Sequence, residues 1–294
     1  MNHPTETARP RLLIGTHTYP GAPAAMRRQQ AAIEALVALR GAECVNVQFA
    51  QQPHDVPELR TLPLLKHSSN SVSGRRGPSK AIVSEIFDVL AAEASAKAIA
   101  YIGFTNSDII FTQQAVDWIL EGGREAYMFS REDFDAEAHA PPQMTVAGVD
   151  VLAVSTVWWL ANRHRFRRYI VGEACWDNVY ASIVMCHADA RIENRNPLVR
   201  HERHPMGPLP SPYFGEYVRM LAAFDAGYFS LWCRYWDGLG RLRAAGGATP
   251  EQEAGLARDV FVWNPGPRAR AVQWGRDVKA IVRYAWWKLR AGPG

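Results

Sequence analysis

The segment YIGFTNSDIIF, Tyr101 to Phe111, joins two apolar runs through the polar residues Asn106, Ser107 and Asp108. A carboxylate at the end of a buried strand is costly unless a donor, a counter-charge or a metal ion accompanies it. Ligands of α/β proteins bind outside the carboxyl ends of the strands, so Asp108 is a candidate ligand for a divalent cation. An Asx turn, in which Asn106 or Asp108 accepts nearby backbone N–H groups, explains the same spacing.

Two later segments carry groups that could join Asp108. LVRHERHP places His201 and His204 at a spacing suited to completing a metal shell or binding phosphate, although both could equally be surface histidines. GEACWDN contributes Glu173 and Asp177, either of which could serve as a general base. The alternative is that Asp177 caps a helix starting at Asn178 and that Trp176 is a core residue.

Polar and basic residues near the start of the chain are candidates for holding a phosphate-bearing ligand. Arg75, Arg76 and Lys80 lie in a glycine-containing loop and at the start of the helix that follows, where charge and unpaired backbone N–H groups bind phosphate. A solvated loop is the alternative. Thr16 and His17 end the first predicted strand, where a base and ribose could bind, and a turn before Pro20 accounts for them as well.

The elements that must position these residues alternate between strand and helix. Leu12 to Thr18 and Cys44 to Phe49 predict strands, and Ala24 to Leu39 between them has apolar residues at helical spacing. This order with short connections predicts a mostly parallel sheet flanked by helices. A helix is predicted from Ser79 with Ser79 as its N-cap, and Asp133 to Gln143 is predicted to be an acidic loop.

Composition narrows the classes of function. The net charge of +4 over 294 residues suits a phosphate-bearing ligand and is too small to predict nucleic-acid binding. The 4 cysteines form no C-x-x-C pair, which argues against a zinc ribbon or a redox dithiol. No apolar stretch is long enough for a signal peptide or a spanning helix, so a cytoplasmic protein is expected.

Four segments in one order resemble a known family. They are the polar loop and helix from Asn70 to Leu90, then TNSDII, GEACWDN and LVRHERHP. Together they resemble the bacterial and plant glycosyltransferase-like proteins of GT-A fold. In that family a strand ends in an Asn-x-Asp variant of the Asp-x-Asp motif, and Gly-x-x-x-Trp-Asp and His-x-x-His segments follow. The resemblance covers about residues 11 to 206.

The resemblance implies a GT-A-like, Rossmann-related catalytic domain over residues 1–206, and a helical, aromatic-rich extension over 207–294. It implies transfer of a sugar from a nucleotide-diphosphate donor to a hydroxyl acceptor in surface glycan or glycolipid assembly. Mn²⁺ or Mg²⁺ would be held by Asp108, with His201 and His204 completing the shell or binding phosphate. Asn106 would hold ribose or a metal-bound water, Asp177 or Glu173 would act on the acceptor, and the Trp176 indole would face a sugar ring. Two alternatives remain: a non-catalytic protein that binds a nucleotide sugar or a partner, and a sugar nucleotidyltransferase.

The segment from Arg268 to Arg290 interleaves basic residues with Trp274, Tyr284, Trp286 and Trp287. A basic, tryptophan-rich helix can lie in a membrane interface, which would bring a lipid-linked acceptor to the inner face of the membrane. The alternative is an amphipathic helix whose aromatic side chains pack on the catalytic domain.

Overall fold

The computed structural model describes residues 11–73, 78–136, 141–145, 148–173, 175–204 and 213–263. The strands in this part of the chain are β1 Leu12–Thr16, β2 Ala42–Phe49, β3 Arg60–Leu65, β4 Tyr101–Thr105, β5 Ile109–Phe111, β6 Ala126–Phe129, β7 Arg131–Phe134, β8 Gln143–Thr145, β9 Val151–Ser155, β10 Ala190–Glu193 and β11 Val199–Glu202. The α-helices are α1 Pro23–Val37, α2 Ser69–Ser73, α3 Val83–Lys97, α4 Gln113–Glu121, α5 Thr156–Asn162, α6 Trp176–His187, α7 Phe214–Met220, α8 Ala226–Ala244 and α9 Pro250–Val260. A 3₁₀ turn spans Arg163–Arg165, and a π-helical turn, Leu221–Asp225, joins α7 to α8.

A 7-stranded sheet forms the centre, in the order β10-β6-β9-β4-β1-β2-β3. Its strand pairs are parallel except where β9 runs antiparallel between β6 and β4. The predicted fold class, a mixed, mostly parallel sheet flanked by helices, is confirmed. A second sheet has 4 strands in the order β5-β11-β7-β8. Its strands β5 and β7 come next in the chain after β4 and β6 of the large sheet.

Strand β1, LLIGT, is buried along its whole length, as expected of a central strand covered on both faces. One face of the 7-stranded sheet packs on α3, α5, α6, α8 and α9, and the other face packs on α1 and α4. Gly15 allows α3 to approach β1 closely, because a Cβ there would lie 2.8 Å from Cδ1 of Leu90.

Helices α8 and α9 share the core of the α6 face. Trp232 and Tyr235 of α8 and Ala257 of α9 belong to the same buried cluster as Tyr180 of α6. The predicted division of the chain into domains near residue 207 stays a prediction. The segment 268–290 lies outside the described residues. Within the described ranges, no helix has the length and apolar character needed to cross a bilayer.

Two local predictions are wrong. Ser79 does not cap α3, which begins at Val83 after Ile82 in an extended conformation. Ala81 and Ile82 form single β-bridges to Ser68 and Ile170, and this tertiary pairing overrides the local cap preference.

The predicted acidic loop from Asp133 to Gln143 also begins and ends in strands. Asp133 in β7 pairs with Gln143 in β8 in an antiparallel ladder. The sequence pattern missed these strands because both are short and polar, and their stability comes from pairing rather than from apolar alternation.

Candidate functional site

Asp108, His201 and His204 meet at the carboxyl edge of the large sheet. Strand β5 begins at Ile109 and pairs with β11 so that Ile109 lies opposite His201, which brings Asp108 beside both histidines. Asp108 Oδ2 lies 3.2 Å from His204 Nε2 and 3.7 Å from His201 Nε2. One ligand atom from each of the three residues lies within 4.8 Å of the others.

The two histidines keep Asp108 ionised. Burial alone would raise the pKa of Asp108, but hydrogen bonds and charge from His201 and His204 outweigh it and hold the pKa far below its usual range. A carboxylate oxygen and two imidazole nitrogens are chemically suited to a divalent transition metal, with positions left for other ligands. These residues therefore fit the expected metal ion, and their nitrogen donors favour Mn²⁺ over Mg²⁺, which prefers oxygen.

A second set of charged residues lies behind the metal-ligand group and was not predicted from the sequence. His201 Nδ1 is 2.8 Å from Asp133 Oδ1. Arg131 donates from Nε to Asp133 Oδ1 at 2.8 Å and from Nη1 to Asp150 Oδ1 at 2.9 Å. Asn106 Nδ2 also donates to Asp150 Oδ1, at 3.3 Å. These bonds connect the Asn-x-Asp segment with strands β7 and β9.

Unpartnered polar atoms concentrate at this edge of the sheet. In the described ranges, buried side-chain atoms without a hydrogen-bond partner include Thr16 Oγ1, Asn106 Oδ1, Ser130 Oγ and Asp150 Oδ2. All four residues lie at the carboxyl edge of the sheet, because Thr16 ends β1, Asn106 and Ser130 follow β4 and β6, and Asp150 precedes the antiparallel strand β9. Buried polar groups in native proteins are nearly always paired, so this concentration indicates a place where a ligand supplies the missing partners.

Asp177 lies in the first turn of α6 and faces Asp150 across Gly148. A Cβ on Gly148 would lie 3.3 Å from Asp177 Oδ2 and 3.4 Å from Asp150 Oδ2. Asp177 Oδ2 accepts the backbone N–H of Val149 at 3.1 Å. Burial, with a contribution from the charge of Asp150, raises the pKa of Asp177 to about 7. Such a carboxyl group can exchange a proton near neutral pH, as a general base requires.

Glu173 and Lys80 pair with each other. Lys80 Nζ donates to Glu173 Oε1 at 2.7 Å, and Glu173 is buried. Gly172 and Cys175 around this loop both have positive φ, of 72° and 62°, and α6 starts directly after Cys175. Glu173 is therefore engaged by a cation, whereas Asp177 faces Asp150, which in turn interacts with the charge of Asp108.

The Trp176 indole points into the core. It is 3% exposed and packs edge-on against Phe104 and Tyr180, with ring centroids 5.7 and 5.9 Å away. The structure thus favours the alternative in which Trp176 is a core residue, because its ring offers no open face to a sugar. Arg75 and Arg76 lie outside the described residues.

Thr16 and His17 lie at the same sheet edge as Asp108, at the end of β1. His17 is buried, its Nδ1 lies 2.8 Å from the Val47 carbonyl oxygen, and its ring contacts Phe49. Burial lowers the His17 pKa, so the ring is neutral at physiological pH. His17 is therefore a buried, neutral ring that packs between the Val47 carbonyl group and Phe49.

Tyr19 lies near Asp108, and Arg28 lies near Tyr19. Both backbone groups of Tyr19 are held by the Gln29 side chain, at 3.1 and 2.9 Å. Burial and the charge of Asp108 raise the Tyr19 pKa, while Arg28 opposes that rise. Arg28 Nε is buried and unpartnered.

The residues missed from the sequence have weak local signatures. Arg131 and Asp133 occupy alternate positions directly after the apolar strand AYMF, and Asp150 directly precedes the apolar strand VLAVS. A charge adjoining a buried strand is the pattern that singled out Asp108, and the same criterion would have found these residues.

Comparisons with known proteins concern the fold. No protein-family model matches the chain, and no curated protein sequence matches it. TarS 1–349 of S. aureus, solved in complex with UDP-GlcNAc, is similar with a TM-score of 0.48 and 12% identity, over 92% of this chain and 89% of that chain. The mannosyltransferase PcManGT of Pyrobaculum calidifontis, solved with GDP-Man and Mn²⁺, has a TM-score of 0.43 and 14% identity, over 96% and 89% of the two chains. At this level the similarity describes the course of the backbone and not the chemistry.

Proposed function

We propose that the chain is a metal-dependent glycosyltransferase that moves a sugar from a nucleotide-diphosphate donor to a hydroxyl acceptor. The observation that carries the proposal is the group Asp108, His201 and His204, assembled from two segments far apart in sequence, with Asp177 at the same sheet edge. The order of the motifs in the chain supports it.

The metal site suits a departing diphosphate. Asp108, His201 and His204 would hold the ion, which when bound would neutralise negative charge on the diphosphate leaving group. Arg28, which lies near Tyr19 and has a buried Nε without a partner, would add a second positive charge to the site. Cations placed where charge develops are the main way in which proteins assist such departures.

The remaining groups suit the sugar and the acceptor. Asn106 Oδ1 and Asp150 Oδ2 lack donors, and sugar or ribose hydroxyl groups can supply them. Asp177 would take the proton of the acceptor hydroxyl group while the acceptor oxygen forms a bond to the anomeric carbon. The bond from that carbon to the diphosphate would break, and its electron pair would leave on the diphosphate oxygen. A pKa near 7 suits this role.

The acceptor and the cellular setting are parts of the same proposal. A glycan or lipid-linked hydroxyl in surface polysaccharide assembly would be the acceptor, in the cytoplasm or at the inner membrane face. The segment 268–290, which would provide a membrane contact, lies outside the described residues.

The test is nucleoside diphosphate release from a panel of UDP- and GDP-linked sugars, with Mn²⁺, with Mg²⁺ and without metal. We expect release from one donor class, faster with Mn²⁺ than with Mg²⁺. His204→Gln should lose the Mn²⁺ stimulation, while His164→Gln, on an exposed residue remote in sequence, should keep it. Donor binding without release would support the non-catalytic alternative, and pyrophosphate release from a nucleoside triphosphate and a sugar phosphate would support the nucleotidyltransferase.

A further inference from the structure

His201 can bind a metal through Nε2 only if its ring proton is on Nδ1. Nε2 is the atom near Asp108, and Nδ1 lies 2.8 Å from Asp133 Oδ1. An ionised carboxylate only accepts hydrogen bonds, so Nδ1 must be the donor in this contact. The contact with Asp133 therefore holds a proton on Nδ1, so that Nε2, beside Asp108, is the nitrogen left to bind a metal once it has released its own proton.

Asp133 is itself held in place. Thr145 donates to its second oxygen, Oδ2, and Arg131 donates to Oδ1. The Arg131 guanidinium beside Oδ1 and the Thr145 hydroxyl on Oδ2 fix the carboxylate as a hydrogen-bond acceptor. In the small sheet, Asp133 of β7 lies directly opposite His201 of β11, and β8 supplies Thr145.

We propose that Asp133 is the positioning residue of the metal site, which selects the His201 tautomer and fixes the ring orientation needed for metal binding. The proposal rests on the proposed function, since it concerns the same metal. In known metal sites, a carboxylate hydrogen-bonded to the far side of a ligating histidine contributes about 10- to 100-fold to metal affinity. The small sheet is then the frame that joins ligand and positioning residue on paired strands.

The chain offers a matched control on the same strand. Glu132 precedes Asp133 and, because side chains alternate along a strand, lies on the opposite face, where it binds Arg200 Nε at 2.9 Å. Asp133→Asn and Glu132→Gln each remove one carboxylate from β7 without changing side-chain size. The asparagine amide can donate to Nδ1, so it permits the tautomer that has its proton on Nε2 and cannot bind metal through that atom.

The experiment measures Mn²⁺ affinity of the full chain by calorimetry and the His201 tautomer by ¹⁵N NMR on histidine-labelled, metal-free protein. The His201 signal is assigned by its loss in His201→Gln. We expect Asp133→Asn to bind Mn²⁺ about 10- to 100-fold more weakly and to shift His201 toward the Nε2–H tautomer. Glu132→Gln should retain both properties of the unaltered chain.

The possible failures are distinct. If the unaltered chain binds Mn²⁺ and Asp133→Asn binds it equally well, or if Glu132→Gln loses as much affinity, Asp133 has no positioning role and the proposed function stands. An unchanged His201 tautomer in Asp133→Asn would overturn the role in the same way. If the unaltered chain binds no Mn²⁺, the proposed metal-dependent function fails, and the metal-positioning role fails with it.

Discussion

Two clusters of charged side chains in this protein use their charges differently. In the first, which we call the Glu253 cluster, Glu253 of α9 accepts hydrogen bonds from Arg195, beyond β10, and from Arg243 of α8. Arg243 also donates to Asn194, whose amide donates to the hydroxyl of Tyr235. No atom of this cluster is among the described buried polar atoms that lack a partner.

The second cluster, around Asp108, also consists of charged side chains but is incompletely paired. Asn106 Oδ1 and Asp150 Oδ2 are buried without partners, and burial raises the pKa of Asp150. Complete pairing in the Glu253 cluster joins α8 and α9 to the edge strand β10, which is a structural role. Incomplete pairing stores a free-energy cost that a bound ligand can relieve, so the Asp108 cluster is where substitutions should change chemistry more than stability.

The largest expected effect is that of Asp108→Ala, which tests the functional side of this comparison. We expect transfer to fall by about 10³-fold, because the charge stabilisation of the leaving group is lost. Donor affinity should no longer respond to Mn²⁺, while the melting temperature stays close to that of the unaltered chain. Asp259→Ala, on the exposed side of α9, is the control for both measurements. An unfolded variant, or one with full activity, would show that Asp108 is a structural residue.

Next in size is Asp177→Asn, which separates the base from the metal site. Turnover should fall by about 10²-fold, the size expected when a positioned base is removed, and donor affinity should change little. Glu173→Gln is the informative comparison, because Glu173 is already paired with Lys80. If the turnover loss followed Glu173→Gln instead, the two roles would have to be exchanged.

Glu253→Gln tests the structural role of the Glu253 cluster, and it should lower stability without lowering activity. It leaves Arg195 and Arg243 without their shared carboxylate, and we expect the free energy of unfolding to fall by about 2 kcal/mol. Chemical denaturation at pH 7 measures the loss of stability, and turnover per folded molecule, measured at the same pH, should be unchanged. Asp259→Asn on the same helix controls for loss of an exposed charge. A large loss of turnover in folded Glu253→Gln would mean that the two clusters are coupled.

The smallest effect is a pH dependence of stability that originates at Asp177. Its pKa is raised from 3.8 to about 7, so between these values the folded chain keeps a proton that the unfolded chain has released. The contribution of Asp177 to stability is therefore complete below pH 3.8 and is lost as the pH rises toward 7. The asparagine of Asp177→Asn does not titrate, so the stability of this variant has no such decrease between pH 3.8 and 7.

The measurement is the difference in unfolding free energy between Asp177→Asn and the unaltered chain. It should shift in favour of the variant by up to about 1 kcal/mol per pH unit between roughly pH 5.5 and 6.5. A difference that is constant across this interval would show that the pKa of Asp177 is ordinary, and would weaken its assignment as the base.

Part of the site could be predicted from the sequence because its physics is local. A carboxylate beside a buried strand must be paired or bound, which singled out Asp108, and parallel strands place their carboxyl ends at one edge. The alternation of apolar strands and helices was sufficient for the fold class. The histidine spacing in LVRHERHP could not distinguish metal ligands from surface residues, and only the pairing of β11 with β5 placed both histidines beside Asp108.

Only the tertiary structure decided which charges work together. Asp133 and Asp150 become partners of the site through Arg131, Thr145 and the pairing of β7 with β11, contacts between residues that no local pattern joins. The same long-range packing buries Trp176. Strand pairing and side-chain burial depend on the whole chain, and so does the difference between a carboxylate that is fully paired, as in Glu253, and one that awaits a ligand.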